Sequence, residues 1–139
     1  MIAELLATLA VATPAADNAA CPVTRPTLPS GRYGTARLWT MLPRDGVLRV
    51  SRGPDGRLGD KLGWIPDRDR GLALTVSGRR LDRPAKLRVL SVNWGYSSTG
   101  KGSWASAVVF PSAGCWRITG RLGRLGATKL SYVVRVVRA

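Results

Sequence analysis

Histidine is absent from this sequence, and glutamate occurs once, at Glu4. Without imidazole the Ser-His-Asp and Cys-His arrangements are unavailable, and no side chain is poised to exchange protons near neutral pH. Two cysteines and no histidine cannot supply the four ligands of a zinc site within one chain. Beyond Asp82 there is no carboxylate side chain at all. Paired carboxylates could come only from Asp60, Asp67 and Asp69 in "GDKLGWIPDRDRG" (59–71), where Lys61, Arg68 and Arg70 alternate with the acids. Solvated ion pairs are the plainer reading of that stretch. Asp67-x-Asp69-x-Gly71 is a fragment of a calcium loop that lacks the closing glutamate. Catalysis is therefore not expected, and no metal or cofactor is implied. No apolar run approaches the roughly 20 residues that a membrane helix needs.

What is abundant is positive charge. Lys and Arg number 22 against 8 Asp and Glu, a formal net charge of +14. Such an imbalance bears on solubility and partners rather than on fold. At 139 residues, with 45% apolar content, the chain is long enough for one domain with a core of its own. The 16 Gly and 9 Pro are dispersed, as turn punctuation is.

Leu5–Ala12 (LLATLAVA) is a short apolar run closing on the small-x-small form of a secretory cleavage site. Glu4 stands where an export signal carries positive charge, so a turn of N-terminal helix is the alternative. On the export reading, residues 1–12 are a truncated signal, 13–30 a Pro/Ala-rich arm and 31–139 the folded domain. The cysteines, Cys21 and Cys115, then have an oxidising compartment in which to bridge. Cys21 also has a second use, as the lipidated residue after Asn18-Ala19-Ala20, which would leave Cys115 without a partner.

From Gly31 onward the apolar period is two. Leu48 and Val50 alternate with Arg49, and Leu72, Leu74 and Val76 alternate with Ala73, Thr75 and Ser77. Trp116, Ile118 and Leu122 oppose Arg117, Thr119 and Arg121. Leu130, Tyr132, Val134 and Val136 oppose Lys129, Ser131 and Arg135. That alternation is the mark of half-buried antiparallel strands. Turn signals at 43–46, 53–56, 77–78, 82–84, 111–114 and 123–126 separate seven or eight of them. They fall near residues 36–42, 46–51, 71–76, 79–81, 86–92, 104–110, 115–122 and 127–137. Strands at this spacing with no amphipathic helix suggest a sandwich or a barrel, and an all-β sandwich is the expectation.

"NWGYSSTGKGSWASAVVF" (93–110) nearly spells a phosphate-binding loop, with Gly95, Gly100 and Lys101. Such a loop works by delivering phosphates to a helix N-terminus, with a hydroxyl after the lysine for magnesium. Here Gly102 follows the lysine, and Trp104–Phe110 is strand-like. A long hairpin loop is expected instead. Trp94, Tyr96 and Trp104 could present rings to a sugar or a base, or Trp94 and Trp104 could cap one end of the core.

Arg117 and Arg121 on one expected strand, and Lys129 and Arg135 on the next, would form one outward cationic face if those strands pair. Such a face would bind phosphate-rich or otherwise anionic polymers with strong salt dependence. Dispersed charge that aids solubility is the alternative. No nucleic-acid module signature accompanies the charge, so nucleic acid is not the expected partner.

Together "GRRLD" (78–82), "GY" (95–96), "VVFPSAGCWRITGRLG" (108–123) and "LSYVVRV" (130–136) resemble a group of small, uncharacterised, secreted bacterial proteins with an immunoglobulin-like β-sandwich. The group's Phe-Pro-x-x-Gly-Cys-Trp turn is matched by Phe110, Pro111, Gly114, Cys115 and Trp116, and its early Cys-Pro by Cys21-Pro22. The resemblance implies export, an immunoglobulin-like sandwich and the Cys21–Cys115 bridge, and transfers no catalytic residue. The expectation is a monomeric, non-catalytic domain of the cell envelope with a binding or structural role. The alternatives are a polyanion-binding module and a carbohydrate-binding module.

Overall fold

The structure, a computed structural model, describes residues 21–66, 72–96 and 101–139. The expected export signal, residues 13–20 of the arm, the Asp67–Gly71 stretch and Gly100 lie outside the described residues.

Among the described residues there are nine strands and no helix. They are β1 (Arg32–Gly34), β2 (Trp39–Met41), β3 (Val47–Val50), β4 (Leu58–Trp64), β5 (Leu74–Arg80), β6 (Arg88–Tyr96), β7 (Gly102–Phe110), β8 (Gly114–Leu122) and β9 (Thr128–Arg138). β1 and β2 form a small hairpin, β3-β9-β8-β5 a four-stranded sheet and β4-β7-β6 a three-stranded one.

Several expectations are corrected. The strand count exceeds seven or eight because Leu58–Trp64 and Arg32–Gly34 are strands. In β4, Leu58, Leu62 and Trp64 are buried, but Asp60 occupies the fourth inward position and Gly59 and Gly63 face outward. A carboxylate and two glycines mask the alternation there. The ion pair expected at Asp60 and Lys61 is absent among the described residues; Asp60 instead accepts a hydrogen bond from the Lys61 backbone N–H at 2.8 Å. In place of two strands expected near 71–76 and 79–81 there is one, Leu74–Arg80, running straight through Ser77-Gly78. Gly78 is needed for close approach, since a Cβ there would lie 2.9 Å from Leu87. Finally, β3 pairs with β9 in parallel, against the all-antiparallel expectation. Alternation fixes which face a residue takes and is blind to strand direction.

One buried cluster spans both larger sheets. Leu62, Trp64, Val108 and Phe110 of the three-stranded sheet meet Val76, Trp116, Ile118, Leu130, Tyr132 and Val134 of the four-stranded one. Two ring pairs cross between the layers: Trp64 with Tyr132 at 5.6 Å and Phe110 with Trp116 at 5.5 Å between centroids. The Trp64 indole N–H donates to Ser106 Oγ at 3.0 Å, and that hydroxyl donates to the Leu62 carbonyl at 3.2 Å. Both buried polar groups are thus satisfied.

Cys21 and Cys115 are bridged, with their Cα atoms 5.5 Å apart and 94 positions between them in sequence. The bridge pins the end of the arm to the start of β8. It also occupies the thiol that lipidation of Cys21 would require. Among the described residues no helix is long and apolar enough to cross a membrane.

Candidate functional site

The outward face of the four-stranded sheet holds an open groove of about 870 Å³. Its geometry follows from register. β5, β8 and β9 align Ser77 with Thr119 and Ser131 in one row across the sheet. On one side of that row Arg79 stands directly opposite Arg117; on the other, Arg121 stands directly opposite Lys129. Lys86 joins them through a bridge between its backbone and that of Arg79. The arm forms a wall. Its Thr24 N–H donates to the Val133 carbonyl at 2.9 Å, and its Oγ1 accepts from the Val133 N–H at 2.8 Å.

Among the described residues no carboxylate lines this groove. Residues directly opposite on paired strands hold their Cβ atoms about 5 Å apart, and like charges so placed destabilise a sheet by up to about 1 kcal/mol. Here that happens twice on one face, with no compensating acid among the described residues. The central row is polar and already ordered, Thr119 Oγ1 lying 2.8 Å from Ser131 Oγ. Five cationic side chains around a row of hydroxyls form a surface suited to several anionic groups at once. Arginine forks add directionality, because each can take a phosphate, sulfate or carboxylate bidentately.

Three of the four cations expected from the sequence, Arg117, Arg121 and Lys129, come together here. Arg135 does not line the groove. It sits opposite Cys115 on one side and Val47 on the other, near the bridge, with its backbone N–H bonded to the Gly46 carbonyl. Outward parity put it on the right face, but β9 carries it past the end of the recess. Arg79 and Lys86 were missed. Arg79 was legible as an outward position of "LTVSGRR" only if the strand ran through Gly78, and Lys86 lies in the connection after β5.

The aromatics are arranged differently. Trp64, Trp104 and Trp94 stand opposite one another on β4, β7 and β6, a row across the three-stranded sheet at one end of the core. Trp94 meets Trp104 edge to face at 5.2 Å, and meets Tyr96 likewise at 6.0 Å. Gly102 makes room for the Trp94 ring, which a Cβ would overlap. Only Tyr96, 68% exposed, is presented freely. The indole N–H of Trp104 is buried and has no partner among the described residues. The near-phosphate loop resolves as a hairpin: β7 begins at Gly102 and pairs antiparallel with β6, Tyr96 opposite Gly102.

The Phe-Pro-x-x-Gly-Cys-Trp stretch has a physical account of its own. Gly114 takes a φ of +150°, and a Cβ there would collide with the Arg80 guanidinium. That guanidinium donates to Ser112 Oγ at 2.9 Å and to Asp82 Oδ2 at 3.0 Å, and it holds the Asp82 carboxyl below its ordinary range. The Trp116 indole N–H donates to the Ser112 carbonyl at 3.0 Å. The turn thus locks β5, β7 and β8 together beside the bridge.

A scan of the chain against protein-family models finds no match, and a search of the curated proteins finds none either.

Proposed function

We propose that this chain is a non-catalytic, extracytoplasmic, immunoglobulin-like β-sandwich domain that binds a linear polyanion along the outer face of its four-stranded sheet. One observation carries the binding: Arg79, Lys86, Arg117, Arg121 and Lys129 line one groove that, among the described residues, no carboxylate lines. The strand orders β4-β7-β6 and β9-β8-β5 support the immunoglobulin-like reading, since naming β4 to β9 as B to G gives B-E-D facing G-F-C. The Cys21–Cys115 bridge supports an oxidising compartment.

Envelope polymers fit the groove better than nucleic acid does. Single-stranded nucleic acids are held by rings on which bases stack. The one ring-bearing residue lining the groove, Tyr132, is buried on the core side of β9 and offers no such platform. A polymer recognised through repeated anionic groups and hydroxyls needs none.

Charge reversal tests this reading. Arg117→Glu with Arg121→Glu should weaken binding to immobilised long-chain polyphosphate or heparin at least tenfold. Arg37→Glu with Lys61→Glu, on other elements, changes net charge equally and should cost far less. Equal losses from the two double variants would reduce the interaction to net charge and sink the groove.

A further inference from the structure

A second cationic recess, sharing no residue with the groove, lies at one end of the two sheets. Register builds it. Val50 pairs with Arg138, Arg52 bridges to Leu58, Leu58 stands opposite Phe110, and Arg88 stands opposite the neighbouring Val109. Arg52 and Arg57 from the β3–β4 connection, Arg88 from β6 and Arg138 from β9 thereby line a space of about 460 Å³ beneath the Pro111–Ala113 turn.

We propose that this recess is a specific site for a small organic phosphate carrying at least two negative charges. Four guanidinium groups face it, and among the described residues only Arg57 has a carboxylate partner, Asp55 at 3.4 Å. Arg52, Arg88 and Arg138 have no carboxylate within ion-pair distance among the described residues. A singly charged anion leaves most of that repulsion in place, whereas a phosphomonoester or diphosphate offers oxygens to several forks at once. The volume lies within the roughly 300–1,000 Å³ usual for small-molecule sites and exceeds what bare phosphate fills. Leu58, Val109 and Pro111 line the space beside the cations. The exposed Pro111 ring gives an apolar portion beside the phosphate a surface to meet.

Two rigid turns hold the walls. The β3–β4 turn is fixed by Gly53 N–H to the Arg57 carbonyl at 2.8 Å, and by Arg57 N–H to Asp55 Oδ1 at 3.0 Å. The opposite wall is the Phe110–Gly114 turn that Arg80 clamps through Ser112. A site with preset walls loses little entropy when it closes on a ligand.

Isothermal titration of the full chain at fixed ionic strength, with pyrophosphate, phenyl phosphate and inorganic phosphate, decides the matter. Saturable binding of pyrophosphate and phenyl phosphate is expected, each tighter than inorganic phosphate. Arg52→Gln and Arg88→Gln should each weaken it about tenfold, while Arg117→Gln with Arg121→Gln leaves it within twofold. Both residues are exposed, and thermal melts check that the variants fold. Absence of saturable heat with all three probes would overturn the proposal. So would affinities that Arg52→Gln and Arg88→Gln leave intact, or that the groove variant lowers equally.

Discussion

Cys21→Ser lowers the free energy of unfolding by about 4–5 kcal/mol, the loop-closure value for a span of this length. The bridge closes a loop of 94 residues, so the unfolded chain gains the freedom of almost the whole domain when it opens. The native state changes less. Arm residues beyond the bridge keep contacts of their own: Thr24 pairs with Val133, and Val23 packs where a side chain on Gly46 would clash, 2.5 Å from a Cβ there. Cys21 is half-buried whereas Cys115 is 3% exposed, which makes Cys21 the gentler site for substitution. Domains of this size commonly hold about 5–15 kcal/mol in all, so the variant sits close to unfolding. Denaturant titrations of the wild type with and without reductant, alongside Cys21→Ser, measure the difference. Superimposable curves would show that the bridge contributes nothing.

Trp64→Ala should cost about 3–5 kcal/mol, the range for losing a fully buried large ring. The side chain is 0% exposed and packs against Tyr132 from the facing sheet. β8 is built to receive it, since a Cβ on Gly120 would lie 2.6 Å from the ring. Removal leaves an indole-sized void, unties Ser106 Oγ from its donor and exposes the Tyr132 phenol, whose ionisation burial now opposes. Gly120→Ala, which adds a methyl group into the same space, should destabilise too, by about 1–3 kcal/mol. Urea unfolding of both variants tests this; a loss under 1 kcal/mol for Trp64→Ala would mean the ring is not the keystone between the layers.

The strands that the sequence announces are those whose inward positions are all apolar. β8 and β9 carry Trp116, Ile118, Leu122 and Leu130, Tyr132, Val134, Val136, with only Gly120 standing among them on the inward side, and their limits were foreseen within a residue or so. β4 escaped because Asp60 breaks its inward series, and β5 was split because a glycine of close approach looks like a glycine of turn. The groove was legible in part. Outward parity on β8 and β9 assembles Arg117, Arg121 and Lys129, because an antiparallel neighbour fixes their register. Arg79 and Lys86 join only once β5 is known to flank β8, which is a matter of topology rather than pattern. The arginine recess was illegible for the same reason. Arg52, Arg57, Arg88 and Arg138 are scattered along the chain, and only the stacking of two sheets gathers their ends.

The salt dependence of polyanion binding tests the central claim most directly. Affinity for long-chain polyphosphate, measured from low to physiological salt, reports the number of anionic groups that the protein neutralises. With five groove cations engaged, log K should fall against log salt with a slope of about −3 to −4, at roughly −0.7 per contact on a flexible strand. Arg117→Gln with Arg121→Gln should flatten that slope by about 1.4, two contacts' worth. A slope near zero for the wild type, or one the double variant leaves unchanged, would contradict the account.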